Sequence, residues 1–305
     1  MIDNESLQQQ LEAEQEPEDE LTALETALGA ALLLTLASLY DDYNTTDGFR
    51  LNPRKRKRFF ERLSEVIGGH YTAVESFVRG KMEAAYTGAY SAFMDAYRQE
   101  LGLPLRTLID DDTIKQAVNS GYPLTKTMKH NQLATMDRLR REIRETMKRN
   151  EEVQQAMGRM QEVAKNDGMR VRAVVAQETA TVQSKAQMQS VEDAERQGVG
   201  VDITWFSVGD NRVRDTHQRL HGQKADEEGY FYSSDCKGKG PRLFVGRNSA
   251  RENINCRCYL ETRGVNIQDD KRWKEFNSAG ASSARREEFE RRIAESKTRK
   301  QGDIS

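Results

Sequence analysis

From Tyr71 to Glu100 the apolar side chains Val74, Phe77, Val78 and Met82 lead into Tyr86, Tyr90, Phe93 and Tyr97, mostly at steps of three and four residues. Such steps place them along one stripe of an α-helix. Gly102 and Pro104 close the pattern, which predicts a single helix of about eight turns. A stripe of four rings cannot hide itself, so other helices or a partner have to cover it. The composition can supply them: the 305 residues include only 5 prolines and 21 glycines, and Ala, Glu, Gln, Arg, Lys, Leu and Met fill most of the length. An all-β sandwich, a collagen and a disulfide-dense secreted module are excluded.

A second long helix is predicted from Met169 to about Gln197, with Val171, Val174, Val175 and Val182 facing inward and Asn166-Asp167-Gly168 as the break before it. Glu178 falls on the same face as those valines. A carboxylate there needs a partner, for which Arg212, Arg214 and His217 are the candidates. Shorter helices are predicted around 111–118 and 124–150. Residues 21–40 form the most apolar stretch, with Leu32-Leu33-Leu34, and read as a buried or partner-packed helix, with a membrane-active segment as the other reading. Residues 1–20 are too polar to repay the entropy of ordering and read as a flexible acidic arm.

Charge is unevenly spread. Residues 1–50 carry a net −11 and residues 51–305 a net +9. Eight acids and no Lys or Arg in the first twenty residues are incompatible with a secretory signal, so synthesis in a cytosol is expected. Arg54-Lys55-Arg56-Lys57-Arg58 stands just after Pro53, at the helix end where the macrodipole disfavours cations. The run reads either as a solvated turn or as a contact for DNA or an acidic partner.

The texture changes after Gly200. Val201, Ile203 and Trp205 alternate with polar residues and predict a strand, Asp210 is placed to cap a short helix 213–220, and Gly222 ends it. Short strands are expected through 223–255, and from Asp269 onward a charged tail that is at best an exposed helix over 283–297. The fold class is thus mainly α with a small C-terminal α+β module, its short strands around 201–260. The domain reading is 1–20 arm, 21–165 helical region, 169–262 α+β module and 263–305 charged tail.

All three cysteines and two of the four histidines lie between His217 and Cys258. His217 and His221 are spaced to share a helix face, and Cys256 and Cys258 sit on a tight loop, a candidate tetrahedral set for structural zinc with Cys236 as the spare ligand. A histidine serving only as a hydrogen-bonding element of the fold explains the same residues. His217-Gln-Arg-Leu-His221 lacks the glutamate of H-E-x-x-H, and no phosphate-binding loop, dinucleotide fingerprint or G-x-S-x-G elbow occurs.

Trp205, Asp210-Asn-Arg-Val-Arg214, His217, Leu220-His-Gly222, Tyr230-Phe-Tyr232 and Asn255-Cys-Arg-Cys258 together resemble, in order, the Mu F-like or head morphogenesis family of tailed-phage minor head proteins. Ala176-Gln-Glu178-Thr179 is similar to that family's Thr-Glu helix, with Gln177 where a Thr is common. The resemblance makes Glu178, Trp205, Arg214, Gly222 and Asn255 structural motif residues. It implies a non-catalytic, low-copy virion component that binds the portal during procapsid assembly, stays inside the head near the portal and aids DNA ejection. Packaged DNA, scaffold and major capsid protein are the further partners it implies, and no small-molecule substrate. The competing readings are a zinc-dependent enzyme acting on nucleic acid or cell wall, for which Glu227, Glu228 and Asp235 are the only loop carboxylates nearby, and a dedicated DNA-binding head protein.

Overall fold

The computed structural model describes residues 22–32, 34, 53–120, 124–149, 153–226 and 228–266. The arm 1–20, most of the apolar stretch beyond residue 32 and the tail beyond 266 lie outside the described residues. The described elements are α1 (22–32), α2 (Pro53–Leu101), α3 (Asp111–Asn119), α4 (Leu124–Arg149), α5 (Val153–Arg196), β1 (Val199–Phe206), α6 (Asp215–Gln218), β2 (Phe231–Ser233), β3 (Cys236–Gly238), β4 (Phe244–Gly246), α7 (Ser249–Asn253) and β5 (Tyr259–Asn266). Mainly α with a small α+β region at its C-terminal end is the fold class the sequence indicated. None of the described helices is long and apolar enough to cross a membrane.

α2 runs 49 residues without interruption. Pro53 suits its first position because the ring presets the helical φ and the missing N–H had no intrahelical partner anyway. Gly102 ends it in the left-handed region (φ 63°), its N–H on the Arg98 carbonyl at 2.9 Å. Tyr86, Tyr90 and Tyr97 of the predicted stripe are buried, but the fourth position belongs to Met94 rather than Phe93, which is half-buried. Steps of four, four and three serve a helix as well as four, three and four. The chain itself buries these three rings, the first of the two ways of covering them that the sequence left open.

α5 runs 44 residues and passes straight through Asn166-Asp167-Gly168, where a break was expected. Asp167 is fully buried instead and accepts hydrogen bonds from Tyr71 and Thr135, both at 2.5 Å. A Cβ at Gly168 would stand 2.0 Å from Glu25 Oε1, so a larger residue there would push aside the Glu25 side chain, which pairs with Arg172 at 3.0 Å.

The chain divides into two compact units. One comprises the described residues within Met1–Ala84 and Val118–Thr179, the other those within Ala85–Ala117 and Ala180–Ser305. In the first, Leu63, Ile67, Val74, Val78, Met128, Leu139, Met160 and Val171 build the core around the Tyr71–Asp167–Thr135 cluster. In the second, Tyr90 donates to Asp193 at 2.7 Å and Gln187 donates to the Leu260 carbonyl at 3.0 Å.

The strands of the second unit form two small antiparallel sheets. β1 pairs with β5 in a register running from Val199–Asn266 to Phe206–Tyr259, and β2, β3 and β4 form the other in that order. Between them lies an apolar cluster of Trp205, Phe231, Phe244, Leu220, Val213, Leu260 and the three cysteines, closed by Met188 and Val191 of α5. Asp210 does not cap α6 as expected. Its Oδ1 accepts from the Arg212 amide at 3.0 Å and from Arg257 at 2.5 Å, while the residue before α6 is Arg214, which makes no side-chain cap bond.

Candidate functional site

α6 is a single turn between Arg214 and Arg219, and it directs His217 inward, 1 % exposed, edge-on to the Trp205 ring with centroids 5.4 Å apart. Across the cluster, the loop into β5 turns at Asn255, whose φ is 56°. Cys256 and Cys258 then point inward while Arg257 between them faces out to Asp210. Both sulfurs meet the same histidine atom: Nδ1 lies 3.5 Å from Cys256 Sγ and 3.6 Å from Cys258 Sγ.

The other ring nitrogen faces a carboxylate. His217 Nε2 lies 2.9 Å from Glu252 Oε2, and a carboxylate only accepts, so Nε2 carries a hydrogen while Nδ1 faces the two sulfurs. Glu252, on α7, is buried as well, and takes further hydrogen bonds from Ser233 at 2.8 Å and Thr216 at 3.2 Å. Burial works to raise its pKa, yet the Ser233 hydrogen bond and the histidine beside it bring the balance below the usual carboxylate value.

The two thiols share hydrogens. The Cys258 thiol, donating to Cys256, holds Cys256 below the usual thiol range, and the same hydrogen bond together with burial raises Cys258. Half-buried Arg242 adds positive potential at both sulfurs. The Trp205 indole N–H, buried with no acceptor at normal hydrogen-bond distance, lies beside Cys258, where it favours the thiolate. The nitrogen and two sulfurs all lie within 4.8 Å of one another, close enough to hold one metal ion.

His221 does not join this set. α6 ends at Gln218, so the helical spacing that would have aligned His221 with His217 is lost, and His221 Nδ1 instead lies 3.2 Å from the Ser207 amide nitrogen at an exposed position. Cys236 is buried in the same apolar cluster but lies outside the group of three. Glu178 is half-buried, and both nitrogens of His217 are engaged by other residues, so the buried carboxylate that faces His217 is Glu252. Sequence reasoning missed Glu252 because its five-residue helix has no period to read; the signal was only an acid a few residues before Cys256.

The remaining motif residues surround the cluster. Arg214 donates to the Ile254 carbonyl, and the Gly222 amide donates to the Trp205 carbonyl at 2.8 Å. At the far end of the sequence, Arg54, Lys57 and Arg58 are exposed near the start of α2, whose first turn holds no acid, and Lys57 pairs with Glu61 at 3.8 Å. The side chains of Lys55 and Arg56 are outside the described residues. Glu228 and Asp235 are exposed, and Glu227 is outside the described residues.

No curated protein and no solved structure matches the chain. Residues 137–261, from within α4 into β5, match the family described as Phage Mu protein F like protein. That stretch contains His217, Glu252, Cys256, Cys258 and every motif residue that carried the resemblance, and it is Mu F-like, of a phage head-related family.

Proposed function

We propose that this chain is a minor head protein that docks on the portal during procapsid assembly, remains inside the virion and assists DNA ejection. The Mu F-like match over residues 137–261 is the observation that carries this reading. The burial of the polar cluster supports a structural rather than a catalytic role: His217, Glu252, Cys256 and Cys258 are each no more than 3 % exposed, whereas a reacting group has to meet its substrate. Portal docking is assigned to the helical region 21–165. Deleting 21–100 is a poor test of it, because that removes Tyr90 and Tyr97 from the unit that holds residues 180–266. The better experiment mixes the full chain with purified portal oligomers and follows co-sedimentation, alongside mass spectrometry of purified heads. Co-migration and a low copy number in heads are expected. Free sedimentation together with absence from heads would overturn the reading.

A contact of Arg54–Arg58 with packaged DNA is the second reading, favoured by the exposed cations at the wrong end of α2 for its dipole. Neutralising the five residues should weaken DNA binding and flatten its salt dependence. Unchanged binding at low salt leaves them a solvated surface.

A further inference from the structure

We propose that His217 Nδ1, Cys256 Sγ and Cys258 Sγ bind one zinc ion that fastens α6 to the loop entering β5, with Glu252 as the carboxylate that orients the histidine. The distances support it. Ligands about 2.0–2.3 Å from a tetrahedral zinc stand about 3.6 Å apart for nitrogen and sulfur. The structure has 3.5 and 3.6 Å. Two sulfurs converge on the one Nδ1, and a cation among the three atoms accounts for that convergence.

Three further features match what such an ion requires. A histidine that ligates through one nitrogen commonly donates its other N–H to a carboxylate, and here Glu252 is in place and itself held by Ser233 and Thr216. The Trp205 indole N–H has no acceptor of its own and gains one in a metal-bound Cys258 thiolate. Charge balances too, since two thiolates neutralise the ion, and the Arg242 guanidinium adds positive potential at both sulfurs. Two sulfurs and an imidazole suit zinc over magnesium, calcium or manganese. His221, on a different surface, is not a ligand.

The test uses the full chain, purified without chelator under reducing conditions. About one zinc per chain is expected by elemental analysis, and cobalt exchanged for zinc should show the sulfur-to-cobalt charge-transfer band of a thiolate site. Cys256→Ser and His217→Ala should lose both signals, whereas Cys236→Ser, buried in the same cluster but outside the ligand set, should keep them. Glu252→Gln should still bind zinc, about 10–100-fold more weakly. If the ligand variants do not fold, the wild-type cobalt spectrum decides alone. A wild-type chain that carries no zinc and gives no charge-transfer band on cobalt titration overturns the proposal, as does zinc retained in a folded Cys256→Ser, Cys258→Ser double variant.

Discussion

Tyr90 gives its hydroxyl hydrogen to Asp193 Oδ2 at 2.7 Å across 103 residues of sequence, and the Tyr90 hydroxyl oxygen accepts from the Leu108 amide at 3.1 Å. One phenol therefore ties α2, the loop before α3 and the end of α5. Tyr90→Phe removes both bonds and leaves a buried carboxylate with Gln189 and Arg196 as its remaining partners. Denaturant unfolding should show a loss of about 1–3 kcal/mol. An unchanged midpoint would mean that the other partners suffice.

The buried tyrosines make stability fall at high pH. Burial, with Asp193 also contributing, pushes Tyr90 up to about 12, and burial likewise raises Tyr86. A folded-state value above the unfolded one, near 10, means that the contribution is fully present below pH ~10 and is lost as pH rises from there toward ~12. Melting temperature against pH should fall through that window. Tyr90→Phe should fall less steeply there than the parent chain.

In the first unit, Asp167→Ala strands the Tyr71 and Thr135 hydroxyls without their shared acceptor. A loss of about 2–4 kcal/mol is expected. Asp167→Asn keeps an acceptor and should recover part of it, which separates hydrogen bonding from volume.

Gly168→Ala should change sign with its background. In the parent chain the new methyl meets Glu25 and displaces it from Arg172, which offsets the gain in helix propensity. With Glu25→Ala in place the clash is gone, and the substitution should stabilise by up to about 1 kcal/mol. Equal effects in both backgrounds would show that Glu25 does not approach Gly168.

The long elements were readable because their signals are periodic. Tyr86, Tyr90 and Tyr97 fell on a helical stripe, and Val201, Ile203 and Trp205 alternated along β1. What failed was local reading of residues whose state is decided at a distance. Asn166-Asp167-Gly168 looks like a helix break until Tyr71 and Thr135 supply the donors for Asp167. Three members of the buried cluster were visible as a concentration of His and Cys, but assigning His221 assumed a helix longer than the one turn of α6. Glu252 sits in a short helix within a stretch whose composition carries no pattern, and only the fold brings it to His217.

The interleaving of the two units sets a schedule for synthesis. Tyr86, Tyr90 and Tyr97 leave the ribosome long before the residues with which they share a unit, Asp193 among them, 103 positions after Tyr90. At about 5–20 residues per second, the tyrosine stripe waits roughly 5–20 s with its rings in water. Nascent chains stalled before residue 180 should accordingly be captured by a chaperone that binds apolar segments, and chains stalled well past residue 266 should be released from it. The same arrangement that gives α2 a place in both units leaves its second half dependent on residues not yet made.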